Sequence, residues 1–375
     1  MYRIGIIGGG QLGKMMILDG KRLDCYFVIL DPTPNCPAHS IADEHIVASF
    51  NDVNAFHRLA EKVDVVTYEF VHINVRALQK LEKEGYKVYP ASQTLLYIQD
   101  KYRQKLWLRT HSFPVPEFMP IQHPQDMTEA GQRFGYPFVL KTCTGGYDGK
   151  GNAVVHRPDE CQEAWKQLGA GQLPLMAEAH VPFIKEVSVL VCRNLSGDVK
   201  VFPVAENSHK DSILDETIVP ARISRSCQEK AVEIARRAVQ AFDAYGMLCI
   251  ELFVTEEGDV LVNELAPRPH NSGHYTIEGC VTSQFENHIR AILGLPLGST
   301  ELLRPTVMKN LIGEQDKKAE VNGLAEAYEY GEVKVHIYGK EMVRKGRKMG
   351  HITVTDKSLD EALKKARYAH SRIRF

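Results

Sequence analysis

The apolar positions change period twice along the chain. Over roughly the first 95 residues, short apolar runs alternate with helical stretches. Residues 3–8 predict a buried strand, Gln11–Lys21 a helix, and Tyr26–Leu30 a second strand that stops at Asp31 and Pro32. Residues 63–68 and 86–89 predict further strands, ending at Glu69 and Pro90. Strands and helices joined by short links predict a parallel sheet covered on both faces. Residues 94–111 turn helical, and Phe113-Pro114-Val115-Pro116 breaks the pattern at a domain boundary.

Beyond that point the strands come in hairpin-like pairs: 138–142 with 153–156, 186–192 with 199–205, and 248–255 with 259–263. A long helix is expected over 228–245. This middle section is therefore expected to be α+β on an antiparallel sheet, with residues 294–298 as the next link. The last 75 residues predict short strands at 333–338 and 351–355 and a terminal helix over 359–368. The fold class is thus α/β followed by α+β.

Charge and composition narrow the function. The 375 residues carry 46 Lys+Arg and 47 Asp+Glu, a formal net charge of −1. That balance lacks the basic stripe of a duplex-coating protein, so no nucleic-acid partner is expected. No apolar run reaches the roughly 18–20 residues of a membrane span, and the first apolar stretch is too short for a signal peptide. A cytoplasmic protein is expected. The eight cysteines contain no C-x-x-C pair, which predicts reduced core cysteines rather than a zinc or redox site. Residues 331–375 depart from neutrality, with a local net charge of +7.

Gly8-Gly9-Gly10-Gln11-Leu12-Gly13 satisfies G-x-G-x-x-G between a strand and a helix, and Asp31 ends the next strand. One reading is a nicotinamide-dependent oxidoreductase. The physical content is narrower: close backbone approach and free N–H groups for some anion or polar ligand. A second glycine-rich segment, Thr144-Gly145-Gly146-Tyr147-Asp148-Gly149-Lys150-Gly151, follows a strand that carries Lys141. Neither Ser nor Thr follows Lys150 and a strand comes next, so this is no Walker loop. It fits a flap whose amides face a triphosphate.

Pairing about a turn at Glu257-Gly258 sets Glu251 opposite Glu264. Like charges there destabilise a hairpin, and an all-oxygen pair calls for a divalent cation, Mg²⁺ before zinc. The segment Ala266-Pro267-Arg268-Pro269-His270-Asn271-Ser272-Gly273-His274 follows directly, a polar loop stiffened by two prolines. Lys340 and the run Arg344–Lys348 supply basic charge for a sugar-phosphate.

These segments together resemble the ATP-grasp enzymes, and among them the N5-carboxyaminoimidazole ribonucleotide synthetase family, the ATPase-subunit type of phosphoribosylaminoimidazole carboxylase. The carriers are the glycine-rich flap, the Glu251/Glu264 pair, Glu178 with Glu186, and the string from Asn263 to His274. Thr67-Tyr68-Glu69-Phe70 and Arg347-Lys348-Met349-Gly350-His351 add to them. The resemblance spans nearly the whole chain. It implies a Rossmann-like domain at 1–95, an ATP-grasp domain at 96–298 with a flap subdomain at about 113–180, and a small β-rich domain at 299–375. It also implies a homodimer. The implied activity joins bicarbonate to 5-aminoimidazole ribonucleotide at the expense of ATP, through carboxyphosphate, in purine biosynthesis.

The resemblance carries site residues with it. ATP would be held by Lys101, Lys141, Gly146, Tyr147, Asp148, Gly149, Lys150, Gly151 and Asn152, then by Glu178, Ala179, His180, Val181, Glu186, His209, Asn263 and Glu264. Mg²⁺ would sit on Glu251 and Glu264. The ribonucleotide would meet Gln11, Leu12, Glu69, His270, Asn271, Ser272, Lys340, Arg347 and Lys348. Tyr147, Lys150 and Arg268 would face bicarbonate or carboxyphosphate. Ala266 stands where many ATP-grasp enzymes have Asn, a feature this family shares, and Arg103 is an alternative to Lys101. Another ATP-grasp ligase, or a formate-using transformylase on a related ribonucleotide, is the neighbouring reading.

Overall fold

The computed structural model describes residues 1–146 and 151–375. Its first hundred residues form the expected parallel sheet. Strands Glu44–Ile46, Tyr26–Leu30, Arg3–Ile7 and Val65–Tyr68 lie side by side in that order. Their alternate faces are both apolar, as burial on both sides requires. One face packs on helices Val53–Ala60 and Val75–Lys83. The other shares a core with helix Gln11–Lys21 and with Phe285, Ile289 and Ile292 of a helix far along the chain, Gln284–Ile292.

Two expectations here need correction. Residues 86–89 form no strand: Lys87 and Tyr89 make two hydrogen bonds to Val66, a single parallel bridge. Gly85, at positive φ, precedes it, and Pro90 has no N–H to extend it. The helical stretch 94–111 is two helices, Ser92–Ile98 and Lys101–Thr110. Asp100 caps the second through the N–H of Arg103, which ends one helix and starts the other.

The middle of the chain builds two antiparallel sheets. The smaller runs Phe118–Ile121, Leu175–Ala179, Phe138–Thr142, Asn152–Val155. The larger begins with Val260–Ala266, Gly246–Thr255, Phe183–Arg193, Ala205–Lys210 and Ile213–Val219, backed by helix Arg225–Ala241. That sheet does not stop at the expected link. Thr306–Ile312 pairs with Ile213–Val219, then Lys348–Thr355 and Val333–Ile337 follow. The C-terminal strands thus extend the central sheet, with helix Leu359–Arg372 packed on them. This continuity brings Lys348 to the same edge of the molecule as the polar loop 266–274.

A buried histidine ties the first sheet to the second. The Met247 amide donates to His288 Nδ1 (3.1 Å), so Nε2 carries the proton and donates to Thr67 Oγ1 (2.8 Å). Burial pushes this imidazole down to about 3. The unfolded chain takes up a proton near the ordinary value of 6.5 while the native state does not. Its contribution to stability is therefore lost as pH falls from about 6.5 toward 3. A His288→Gln variant should show a shallower acid loss in a denaturant titration repeated across that range. His288→Ala, which orphans the Met247 amide and the Thr67 hydroxyl, should cost about 2 kcal/mol or more at pH 7. Equal stabilities for wild type and His288→Ala would remove the pin from the account.

Candidate active site

A cavity of about 1040 Å³ opens between the two antiparallel sheets and the end of the first domain. Its floor is the hairpin Gly246–Thr255/Val260–Ala266. Near the turn the pairs are Val254↔Val260, Phe253↔Leu261 and Leu252↔Val262. Continued without interruption, that register would face Glu251 with Asn263. A one-residue bulge intervenes, and Glu251 stands opposite Glu264 instead. The expected opposition is right, but it rests on the bulge at Asn263 and not on symmetric pairing about 257–258.

Among the described residues, each carboxylate has one strong partner. Lys101, the first residue of its helix, pairs with Glu264, and His270 Nε2 lies 3.0 Å from Glu251 Oε1. The Lys101 charge holds the Glu264 carboxyl at about 2 against the opposing effect of burial. Burial acts to lower Lys101, yet Glu264 outweighs it and raises the ammonium. Arg103 points away, with an exposed side chain near Asp100, so Lys101 is the residue that reaches the site.

Beside this pair lies a buried triad. Glu178, on strand Leu175–Ala179, meets Lys141 Nζ at 2.5 Å through Oε1 and Lys105 Nζ at 2.8 Å through Oε2. Burial alone would raise Glu178, but the two ammonium groups hold it at about 2. Lys105 is lowered to about 8, because burial exceeds the help it gets from a carboxylate it shares. Two cations on one anion leave positive charge in the interior, which an anionic ligand would neutralise. Lys105 escaped the sequence reading. Its spacing of four from Lys101 puts both on one helix face, and that was the available signal.

Most of the remaining candidates line the cavity. Gln11, Leu12, Gly146, Asn152, Ala179, His180, Val181, Glu186, His209, Asn263, Arg268, His270, Asn271, Ser272 and Lys348 line the cavity. His209 Nδ1 meets Glu186 Oε2 at 2.6 Å, and that contact raises the imidazole although burial works against it. Both amide atoms of Asn271, and Nε of Arg268, are buried without a partner among the described residues, as expected of groups that meet a ligand. Gly151 closes the hairpin at positive φ, its carbonyl accepting from the Thr142 amide. Lys340 and Arg347 are not part of the lining; they donate to the carbonyls of Lys348 (2.7 Å) and Met342 (2.9 Å). Tyr147, Asp148, Gly149 and Lys150 lie outside the described residues.

The first glycine motif is not an open anion site. The Gly9 amide donates to Asp31 Oδ2 (2.8 Å), and the amides of Gly10 and Gly13 donate to Glu69. The chain's own carboxylates occupy the helix start, so Asp31 is not free for a ribose and the dinucleotide reading loses its N–H donors to phosphate. Glu69 itself lies beneath Gln11 and Leu12, buried, with both oxygens engaged.

Comparison with known proteins agrees with this arrangement. Residues 1–99 match the ribonucleotide synthetase preATP-grasp domain, 106–285 the ATP-grasp domain, and 306–365 the phosphoribosylaminoimidazole carboxylase C-terminal domain. The chain is 43% identical to N5-carboxyaminoimidazole ribonucleotide synthase of Bacillus subtilis over 96% of its own length and 92% of that protein. It superposes on N5-carboxyaminoimidazole ribonucleotide synthetase from Thermotoga maritima with a TM-score of 0.90 at 44% identity, covering 100% and 99% of the two chains. The synthase from Aspergillus clavatus, in complex with ADP and 5-aminoimidazole ribonucleotide, gives 0.90 at 36% identity over 99% and 98%. No helix among the described residues is long and apolar enough to cross a membrane. Three matched domains, full-length identity and the assembled site lead to one conclusion: the chain belongs to the N5-carboxyaminoimidazole ribonucleotide synthetase family of ATP-grasp ligases.

Proposed function

We propose that this enzyme uses ATP and bicarbonate to carboxylate 5-aminoimidazole ribonucleotide, giving N5-carboxyaminoimidazole ribonucleotide, ADP and phosphate in purine biosynthesis. The observation that carries the reading is one cavity holding the Glu251/Glu264 pair, the excess charge of Lys105 and Lys141 on Glu178, and the unpartnered atoms of Asn271 and Arg268. The relative crystallised with ADP and the ribonucleotide supports the choice of ligands.

In this reading Lys101, Lys141, Gly146, Gly151 and Asn152 meet the phosphates of ATP, together with Tyr147, Asp148, Gly149 and Lys150 by family resemblance. Glu178, Ala179, His180 and Val181, at and just past the end of strand Leu175–Ala179, run along the base, while Glu186, His209 and Asn263 border the sugar. Glu251 and Glu264 fit a divalent cation, because they are opposed carboxylates whose present partners are an ammonium and an N–H donor. Mg²⁺ bound there would neutralise charge on the phosphates. Gln11, Leu12, His270, Asn271, Ser272 and Lys348 would contact the ribonucleotide, with Glu69, Lys340 and Arg347 supporting them.

The chemistry follows from charge. A bicarbonate oxygen attacks the γ-phosphorus and the bond to the bridging oxygen of ADP breaks, giving carboxyphosphate. Lys141 and Lys101 stabilise the charge moving onto the phosphates. The exocyclic amine then attacks the carboxyl carbon, or CO2 released from it, phosphate departs, and the amine loses a proton. Arg268, partly buried beside the carboxylate pair, holds the anionic intermediate, with Tyr147 and Lys150 on the flap side by resemblance. We also place the enzyme in the cytoplasm as a homodimer, so its mass in solution should be near twice 42.2 kDa; a monomer at working concentration contradicts that part.

ADP release should require Mg²⁺, ATP and bicarbonate and rise strongly with 5-aminoimidazole ribonucleotide. Stimulation by formate in place of bicarbonate would point to a transformylase, and indifference to the ribonucleotide would refute the proposed acceptor. Glu264→Gln should lower ATP turnover by roughly a hundredfold or more with an unchanged circular dichroism spectrum. Near-normal ADP release from that variant would refute the cation assignment.

A further inference from the structure

Beneath the cavity, a line of polar side chains crosses the core of the large sheet where apolar residues would pack more cheaply. Thr217, Asn207 and Ser188 come from three adjacent strands and are buried, as is Ser272 of the polar loop. Thr217 Oγ1 donates to Asn207 Oδ1 (2.9 Å), Asn207 Nδ2 to Ser188 Oγ (2.9 Å), and Ser188 Oγ to Ser272 Oγ (2.8 Å). Ser272 Oγ then lies 2.9 Å from His270 Nδ1, and His270 Nε2 lies 3.0 Å from Glu251 Oε1.

Two groups at the His270 end can act in only one sense. The Ser272 backbone N–H reaches His270 Nδ1 at 3.3 Å and can only donate, a long contact that favours Nδ1 as acceptor. The Glu251 carboxylate can only accept, so Nε2 must carry the proton. With Nδ1 accepting, the Ser272 hydroxyl donates to it and must receive from Ser188. Ser188 must in turn receive from the Asn207 amide nitrogen, which leaves Oδ1 for Thr217. Every hydroxyl donates once, and each link is satisfied. The opposite direction would set an N–H against the Ser272 amide and a lone pair against the carboxylate.

We propose that Ser188, Asn207 and Thr217 are positioning residues: through Ser272 they form a hydrogen-bond chain that turns the Ser272 hydroxyl onto His270 Nδ1 at 2.9 Å, the shorter of that nitrogen's two donor contacts, and so completes the hold on the Nε2–H tautomer that aims the Glu251 carboxylate. The consequence for the reaction rests on the reading of Glu251 as a cation ligand. The tautomer itself does not. In a ribonucleotide synthetase with this chain, the orientation of one cation ligand is set from three strands away.

The test is two-bond ¹H–¹⁵N correlation of the histidine rings in full-length enzyme free of metal, nucleotide and ribonucleotide. The His270 ring is assigned by its disappearance in His270→Gln. Wild type should show a single tautomer, protonated at Nε2 and bare at Nδ1. Ser188→Ala and the near-isosteric Thr217→Val should let a second tautomer appear. In turnover assays, the Mg²⁺ concentration for half-maximal rate should rise about fivefold in the same variants, the effect of one hydrogen bond. An Nδ1–H or mixed tautomer in wild type overturns the proposal. So does a single Nε2–H tautomer retained by both variants. Because the spectra are taken without ligands, they stand or fall independently of which acid and amine the enzyme joins.

Discussion

The site depends on one extra residue in one strand. Without the bulge at Asn263, the hairpin register would set that amide opposite Glu251 and turn Glu264 to the other face of the sheet. With it, two carboxylates stand opposed in a position where like charges repel. The protein offsets that repulsion locally, with the Lys101 ammonium on Glu264 and the His270 N–H on Glu251. Each partner is itself held from elsewhere: Lys101 at the start of a capped helix, its amide on the Cys143 carbonyl at 2.8 Å, and His270 by the chain through the sheet. The carboxylate pair is thus a strained charge arrangement that the surrounding fold keeps in place.

Charge also explains how the three parts of the chain cooperate. The Lys105–Glu178–Lys141 triad leaves interior positive charge close to the two carboxylates, so the proposed phosphate and cation would complement adjacent walls. The first domain closes one end through Gln11 and Leu12, whose helix start is stabilised internally by Glu69. The C-terminal strands close another because they continue the central sheet, which carries Lys348 to the cavity. A ligand that bridges these walls binds residues from all three segments at once.

Much of this was legible in the chain because the signals were local. The parallel sheet, the flap strands, the Glu251/Glu264 hairpin and the loop 266–274 each announce themselves by period, turn residues or polar density. What was hidden depends on contacts between distant segments. The use of the Gly10 and Gly13 amides by Glu69 made the first glycine motif misleading, since a free helix start and an internally satisfied one have the same sequence. Lys105 looked like any helical lysine until Glu178 was placed beside it. The run from Ser188 to Thr217 reads as ordinary strand, and only the pairing of three strands brings its polar groups into line.

The claim at the centre of this account is that the opposed carboxylates form a cation site completed by nucleotide. Its most direct measurement is an electron paramagnetic resonance titration of Mn²⁺ into the enzyme with a non-hydrolysable ATP analogue, for wild type and Glu251→Gln. The account predicts one tightly held Mn²⁺ per wild-type chain that depends on the analogue, and loss of that site in the variant. Equal Mn²⁺ binding by both proteins would contradict it.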